Sequence, residues 1–370
     1  MRLLPLGAKS LGMALTARDG GDAAPTGPDR LLAEAAQVAR HADARLTAAL
    51  NDLFLPDFVR PTDSQRAAMA NMLDALVTEL DRDLRAGLIA RLGEAAPPVL
   101  GVARIPIIRP IFDRAGVLRD RELVALLLAR AEEHRIAQAI RRVAQISPEP
   151  TPAVQLAIAP DVEATLQLAE NRRTGSYGEP NVTVADLSAE LLHRLIWWAA
   201  AALRDYLGRS TTLDAGTRDE AIAAVVASRL AAHDEGQTLE AAAMRAAMAL
   251  HGDESLLFEL FRAGRFSLFV AMLAVRARID FAPAFMLAAD PGIGALAVLL
   301  RAVEASTQVA APVLLQMAAI NRLSEAKLEE RVNDYLDLEL AAAQDAIRPW
   351  RLEKAFRHAI ADIGRERRQK

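Results

Sequence analysis

The sequence predicts an all-α protein, a HEAT- or armadillo-like helical array followed by a helical bundle. Three observations carry that expectation. Roughly a fifth of the 370 residues are alanine, and alanine with leucine dominates every long segment; both cost little in a helix. Alternating Val/Ile/Thr runs of strand type are scarce. Proline elbows separate short apolar segments that cannot bury a face alone and must stack on neighbours.

Taken in order, residues 1–28 hold Gly20, Gly21, Pro25, Gly27 and Pro28 and read as a flexible lead-in. A helix is expected from Asp29 to Leu53, because Leu31, Leu32, Ala35, Ala39, Ala42 and Leu46 recur at helical spacing. Pro56 and Pro61 close it. Thr62 or Asp63 caps the next helix, which runs to Leu80 on the stripe Met69, Met72, Leu73, Leu76 and Leu80. Shorter helices are expected at Asp83–Gly93, Pro106–Ala115, Arg119–Ala131 and Arg135–Ile146, before a break at Pro148, Pro150 and Pro152. Two stretches share one theme, an apolar-alanine helix, a proline elbow and a second apolar helix: Leu88–Phe112 around Pro97-Pro98, and Leu156–Asn171 around Pro160. Such a theme reads as a helical repeat.

Residues 171–186 form a loop with Tyr177 near its centre, after which Ser188 and Glu190 open a strong helix to Leu207. Thr211–Gly216 is a linker. The expected organisation is therefore a helical-repeat domain at 29–207 and a bundle domain at 211–370. Helices in the second half are expected at Thr217–Ala232, Thr238–Leu250, Glu254–Ala263, Ser267–Arg276, Ala282–Ala289, Ile293–Ala305, Pro312–Ile320, Ser324–Ala346 and Pro349–Glu366.

Composition narrows function. The chain has no cysteine, which removes disulfides, thiolate metal sites and cysteine nucleophiles. No phosphate-binding glycine loop, H-E-x-x-H or G-x-S-x-G motif occurs. The opening MRLLPLGAKSLGMALTA is interrupted by Pro5 and Lys9, so a cytoplasmic chain is expected rather than a secreted one. The longest apolar runs fall short of the ~20 residues of a membrane span. Only 4 of the 44 basic residues are lysine. The basic end of the chain suits a helix C-terminus, and no nucleic-acid partner is expected.

Several blocks carry a family resemblance. The run Ala96-Pro97-Pro98-Val99-Leu100, continued by Leu118–Ala125, is similar to an uncharacterised bacterial all-helical family, domain of unknown function 2336. Asp186–Leu203 and Leu257–Leu273 resemble its other recurring blocks. The resemblance implies a helical fold with HEAT-like packing in the first half, over most of the chain after residue 30, and carries over no catalytic or ligand residue.

The leading functional expectation is a non-enzymatic scaffold or regulatory module that binds an unidentified protein partner, since stacked helix pairs make extended surfaces. Its candidate contacts are Arg119, Arg121 and Glu122, the Tyr177 loop, and Glu190, His193 and Trp197, three residues that lie along one side of a helix. The alternative is a binder of a small hydrophobic ligand or peptide in a pocket lined by Phe258, Phe261, Phe269 and Phe285. These belong to a cluster holding six of the ten phenylalanines, which reads otherwise as a packed core. The weakest reading is an enzyme with an acid–base pair at Glu190 and His193. Glu330, Asp334 and Asp337 share a face but lack the Glu-x-x-His partners of a metal site. They read as a solvated ridge that docks the basic final helix, in the chain or in a second copy, which makes homo-oligomerisation one expected outcome. No metal or cofactor is expected.

Overall fold

The computed structural model describes residues 61–102, 105–146, 154–175, 178–250 and 254–353, with a few positions between 355 and 363. The expected lead-in at 1–28, the expected helix Asp29–Leu53 and most of the expected helix Pro349–Glu366 lie outside the described residues. Residues from Pro61 onward form one compact unit. Among the described residues it consists of α1 (Asp63–Leu92), α2 (Ile108–Ala115), α3 (Arg121–Ile146), α4 (Pro160–Arg172), α5 (Ala189–Ser210), α6 (Ala215–Ala232), α7 (Leu239–Ala249), α8 (Ser255–Arg262), α9 (Phe266–Ala277), α10 (Phe281–Ala288), α11 (Gly294–Ala302), α12 (Thr307–Ile320), α13 (Glu325–Asp337) and α14 (Leu340–Ile347). The fold is all-α, as the alanine and leucine content implies.

Local chemistry sets most helix starts. Thr62 caps α1 and exchanges hydrogen bonds with Gln65 in a capping box. Ser188, Asp214, Thr238 and Ser324 cap α5, α6, α7 and α13 through side-chain oxygens that accept from N3 amides. Gly116 ends α2 in the left-handed region, φ 69°, where a side chain is penalised.

The sequence expectations need four corrections. Helices expected apart at 62–80 and 83–93 are one helix, α1, and those at 119–131 and 135–146 are one helix, α3. Charged residues at or near the expected breaks carry on the buried stripes instead: Arg85 of α1 bonds the Val102 carbonyl at 2.9 Å, and Arg130 and Glu133 of α3 pair inside the molecule. The helix expected over Ser324–Ala346 is broken between α13 and α14, where Arg301 Nε donates to the freed Leu338 carbonyl at 2.8 Å. The helix expected from Pro312 starts earlier, at Thr307, with Pro312 inside it. Finally, Arg348–Arg351 is a 3₁₀ turn leading into extended Leu352, not the opening of an α-helix.

Among the described residues, two apolar cores fill the unit. The first joins α1, α2, the start of α3, α5 and α6 through residues such as Met72, Leu84, Phe112, Leu123, Leu195 and Val226. The second joins the rest of α3 to α4 and α7–α14. In α9 every residue from Phe266 to Ala274 is buried, as befits a helix apolar all round. Its neighbour α7 presents Ala242, Ala243, Ala246 and Ala247, and these short side chains let the two helices pack closely. The cores interleave along the chain: α4 belongs to the second and α6 to the first. The cores therefore do not part at the Thr211–Gly216 linker.

Candidate functional site

The sequence-predicted residues Glu122, Glu190, His193 and Trp197 converge where the start of α5 meets the start of α3. The inner side of α5 fixes its orientation, with Leu191, Leu192, Leu195, Ile196, Ala199, Ala202 and Leu203 all buried. Its other side must then face water. Asp120 caps α3 by accepting from the Glu122 and Leu123 amides at 2.9 and 3.1 Å. Arg194 ties the two helix starts together, reaching Asp120 at 3.2 Å, Glu122 at 2.8 Å and Glu190 at 3.0 Å. Ser188 Oγ donates to Glu122 at 2.7 Å. The hydrogen bond to Glu122 and the neighbouring carboxylates hold the Arg194 guanidinium more firmly charged than usual.

Glu190 and His193 have different partners. The Glu190 carboxylate pairs with Arg194 and is 83% exposed, whereas His193 Nε2 accepts from the Trp197 indole N–H at 3.2 Å. The His193 and Trp197 rings meet edge-on, 6.4 Å apart. Trp197 and its neighbour Trp198 are 43% and 49% exposed. Arg119 and Arg121 are also exposed, next to Asp120 in the chain. Tyr177 lies outside the described residues. Towards the end of α5, Arg209 pairs with Asp205 at 2.5 Å, and Arg204 and Arg218 both grip Asp219 at 2.8 Å. Those two guanidiniums hold the Asp219 carboxyl down to about 2.

The phenylalanines sit elsewhere. Phe261 and Phe269 are fully buried and meet edge-on at 5.1 Å; Phe285 packs at 6.0 Å against Phe266, which stacks on Phe269. Phe258 is half-buried under the Arg262 guanidinium. These rings fill space beside one another in the second core. A surface cleft of about 780 Å³ opens at a different place, between Glu94–Pro98 and Arg209–Asp214. On α13, Glu330 pairs with Lys327 and Asp334 with Arg331, each at 2.8 Å, so the acidic ridge is partly neutralised by its own helix.

One cluster was not foreseen from the sequence. Arg130 and Glu133 of α3, Arg173 after α4, Asp186, and Ser267 of α9 are all buried. Glu133 bonds Arg130 at 3.2 Å and Arg173 at 2.8 Å, and it also accepts from Ser267 Oγ. Burial works against the Glu133 carboxylate, but Arg130 and Arg173 outweigh it and its pKa falls below the ordinary value. Asp186 accepts from the Thr183 amide at 3.0 Å and hydroxyl at 2.9 Å. Arg130 lies 3.6 Å from Glu240 and 3.9 Å from Asp186. The available signal was position: Arg130 and Glu133 sit on the stripe set by Leu123, Leu127, Ile136 and Ile140, where apolar residues are the rule.

Compared with known proteins, residues 178–348 match the model of a family described as an uncharacterised protein conserved in bacteria (DUF2336). The blocks Asp186–Leu203 and Leu257–Leu273 lie inside that match, and the Ala96–Leu100 and Leu118–Ala125 blocks lie outside it. No curated protein and no solved structure matches the chain.

Proposed function

We propose that the helical unit carrying this family domain is a non-enzymatic interaction module, a scaffold or regulatory piece whose partner docks on the outer face of α5. The observation that carries the reading is the adjacent pair Trp197 and Trp198, about half exposed on a helix whose other side is sunk in the first core. Half-exposed indoles leave apolar area in water that a partner would cover, at about 25 cal/mol per Å². Tryptophan is also the residue type that most often dominates binding hot spots. The charges around the pair, Glu190 and Arg194 before it and Arg204 and Asp205 after it, match the polar rim that surrounds an apolar interface centre.

The test is affinity capture from native lysate with the tagged full chain, comparing wild type with the Trp197→Ala/Trp198→Ala double variant. The expected outcome is a protein retained by wild type and depleted at least about tenfold by the variant, as for a hot-spot loss. Circular dichroism checks that the variant is folded. Equal retention by both chains, or no specific protein at all, would overturn the reading.

A further inference from the structure

The outer face of α5 carries a stripe that is its own complement when read backwards. Glu190, Arg194, Trp198, Ala201, Asp205 and Arg209 follow at spacings of four, four, three, four and four residues. At 3.6 residues per turn these spacings keep all six within an arc of about 100°. Five of them are exposed, and Arg194, at 35%, is held in place by its three carboxylates. The spacing is the same from either end, but the chemistry inverts. The outer pair is acid and base, the next pair base and acid, and the inner pair large and small.

Two copies of α5 laid antiparallel across this stripe set Glu190 against Arg209, Arg194 against Asp205, and Trp198 over Ala201 of the second copy. A two-fold axis makes each pairing occur twice. Parallel alignment would put like charges and both indoles on one another. Each end of α5 also carries a charge network of its own. Three carboxylates, Asp120, Glu122 and Glu190, share Arg194 at its start. Three guanidiniums, Arg204, Arg209 and Arg218, share Asp205 and Asp219 at its end.

We infer that this face is the interface between two copies of this chain, an isologous dimer with antiparallel α5 helices. The inference rests on the docking reading of α5 and names its partner. The stripe spans about 28 Å of helix, and a single helix pair covers less than the roughly 1,600 Å² of a standard interface. The dimer is therefore expected to be reversible and concentration-dependent.

Sedimentation velocity of the full chain from about 1 to 200 µM tests it; complexes of this size class set that window. Wild type is expected to move from monomer to dimer, with weaker association in high salt. Glu190→Arg and Arg209→Glu place like charges together twice per dimer, and each should raise the dimer Kd at least about tenfold. Trp198→Ala should do the same. Combining Glu190→Arg with Arg209→Glu restores the complement and should return the Kd to within about threefold of wild type. Both charged sites are surface positions, so folding is not at stake. Monomer at every concentration, or a dimer indifferent to these changes, overturns the proposal. If the chain stays monomeric but still retains a foreign protein that the double tryptophan variant loses, the docking reading survives with another partner. Failure of both measurements sinks both.

Discussion

Arg130 and Glu133 stand on a stripe of α3 that is otherwise leucine, isoleucine and alanine, and the buried Arg130 charge is compensated by Glu133 on the same helix and by Asp186 and Glu240 from elsewhere in the chain. Glu133 is the central one, because Arg130, Arg173 and Ser267 all converge on it. Removing its charge takes the carboxylate from Arg173 and leaves Arg130 only the more distant Glu240 and Asp186, so Glu133→Gln should cost about 3–5 kcal/mol, measured by chemical denaturation at pH 7. The pH dependence follows from the direction of the shift. The fold lowers the Glu133 pKa, so its contribution is complete above the ordinary value of 4.5 and is lost as pH falls through the lower folded value. The variant should lack that part of the acid limb. At this scale the cap Thr62 and the helix opening at Ser188 were legible, because a cap bonds an amide three residues away. The charge cluster was not, since Glu133 and Ser267 are 134 residues apart.

Among the helices, sequence periodicity found nearly every segment but placed some breaks where none exist. Across the break expected between Leu80 and Asp83 the helix runs on, with Asp81 and Arg85 paired at 3.3 Å along it and Arg85 buried against the loop that follows. A long charged side chain can lie along an apolar face and still find acceptors. The approach of α1 to α6 is set by a missing side chain. A methyl group added at Gly87 would sit 2.6 Å from Val225 Cγ1. Gly87→Ala should therefore cost about 1–3 kcal/mol despite alanine's better helix propensity. Val225→Ala in the same chain should recover much of that loss. A double-mutant cycle by thermal or urea unfolding checks it, and strictly additive effects would mean the two helices do not press there.

At the scale of the described unit, α3 runs through both cores, with Leu123 and Leu127 in the first and Ile136 and Ile140 in the second. The buried charges cross between them as well, tying α3 to Arg173, Asp186 and Ser267. Such coupling should make the two cores unfold together. Tryptophan reports on both: Trp197 and Trp198 lie on α5 of the first core, and Trp350 packs against the second. Trp350→Phe and Trp197→Phe/Trp198→Phe variants should give urea midpoints that coincide by fluorescence once corrected for each variant's stability; separated transitions would show independent halves. The helical class, most of the segments and the Thr62 cap were readable from the amino-acid order, because those depend on contacts within a turn or two of helix. Which helices share a core, that Phe261 and Phe269 are packed while Trp197 and Trp198 are exposed, and that Arg130 and Glu133 are buried as partners emerge from the folded chain alone. Each of these depends on contacts between distant segments, and an apolar residue looks the same in sequence whether a neighbouring helix covers it or water does.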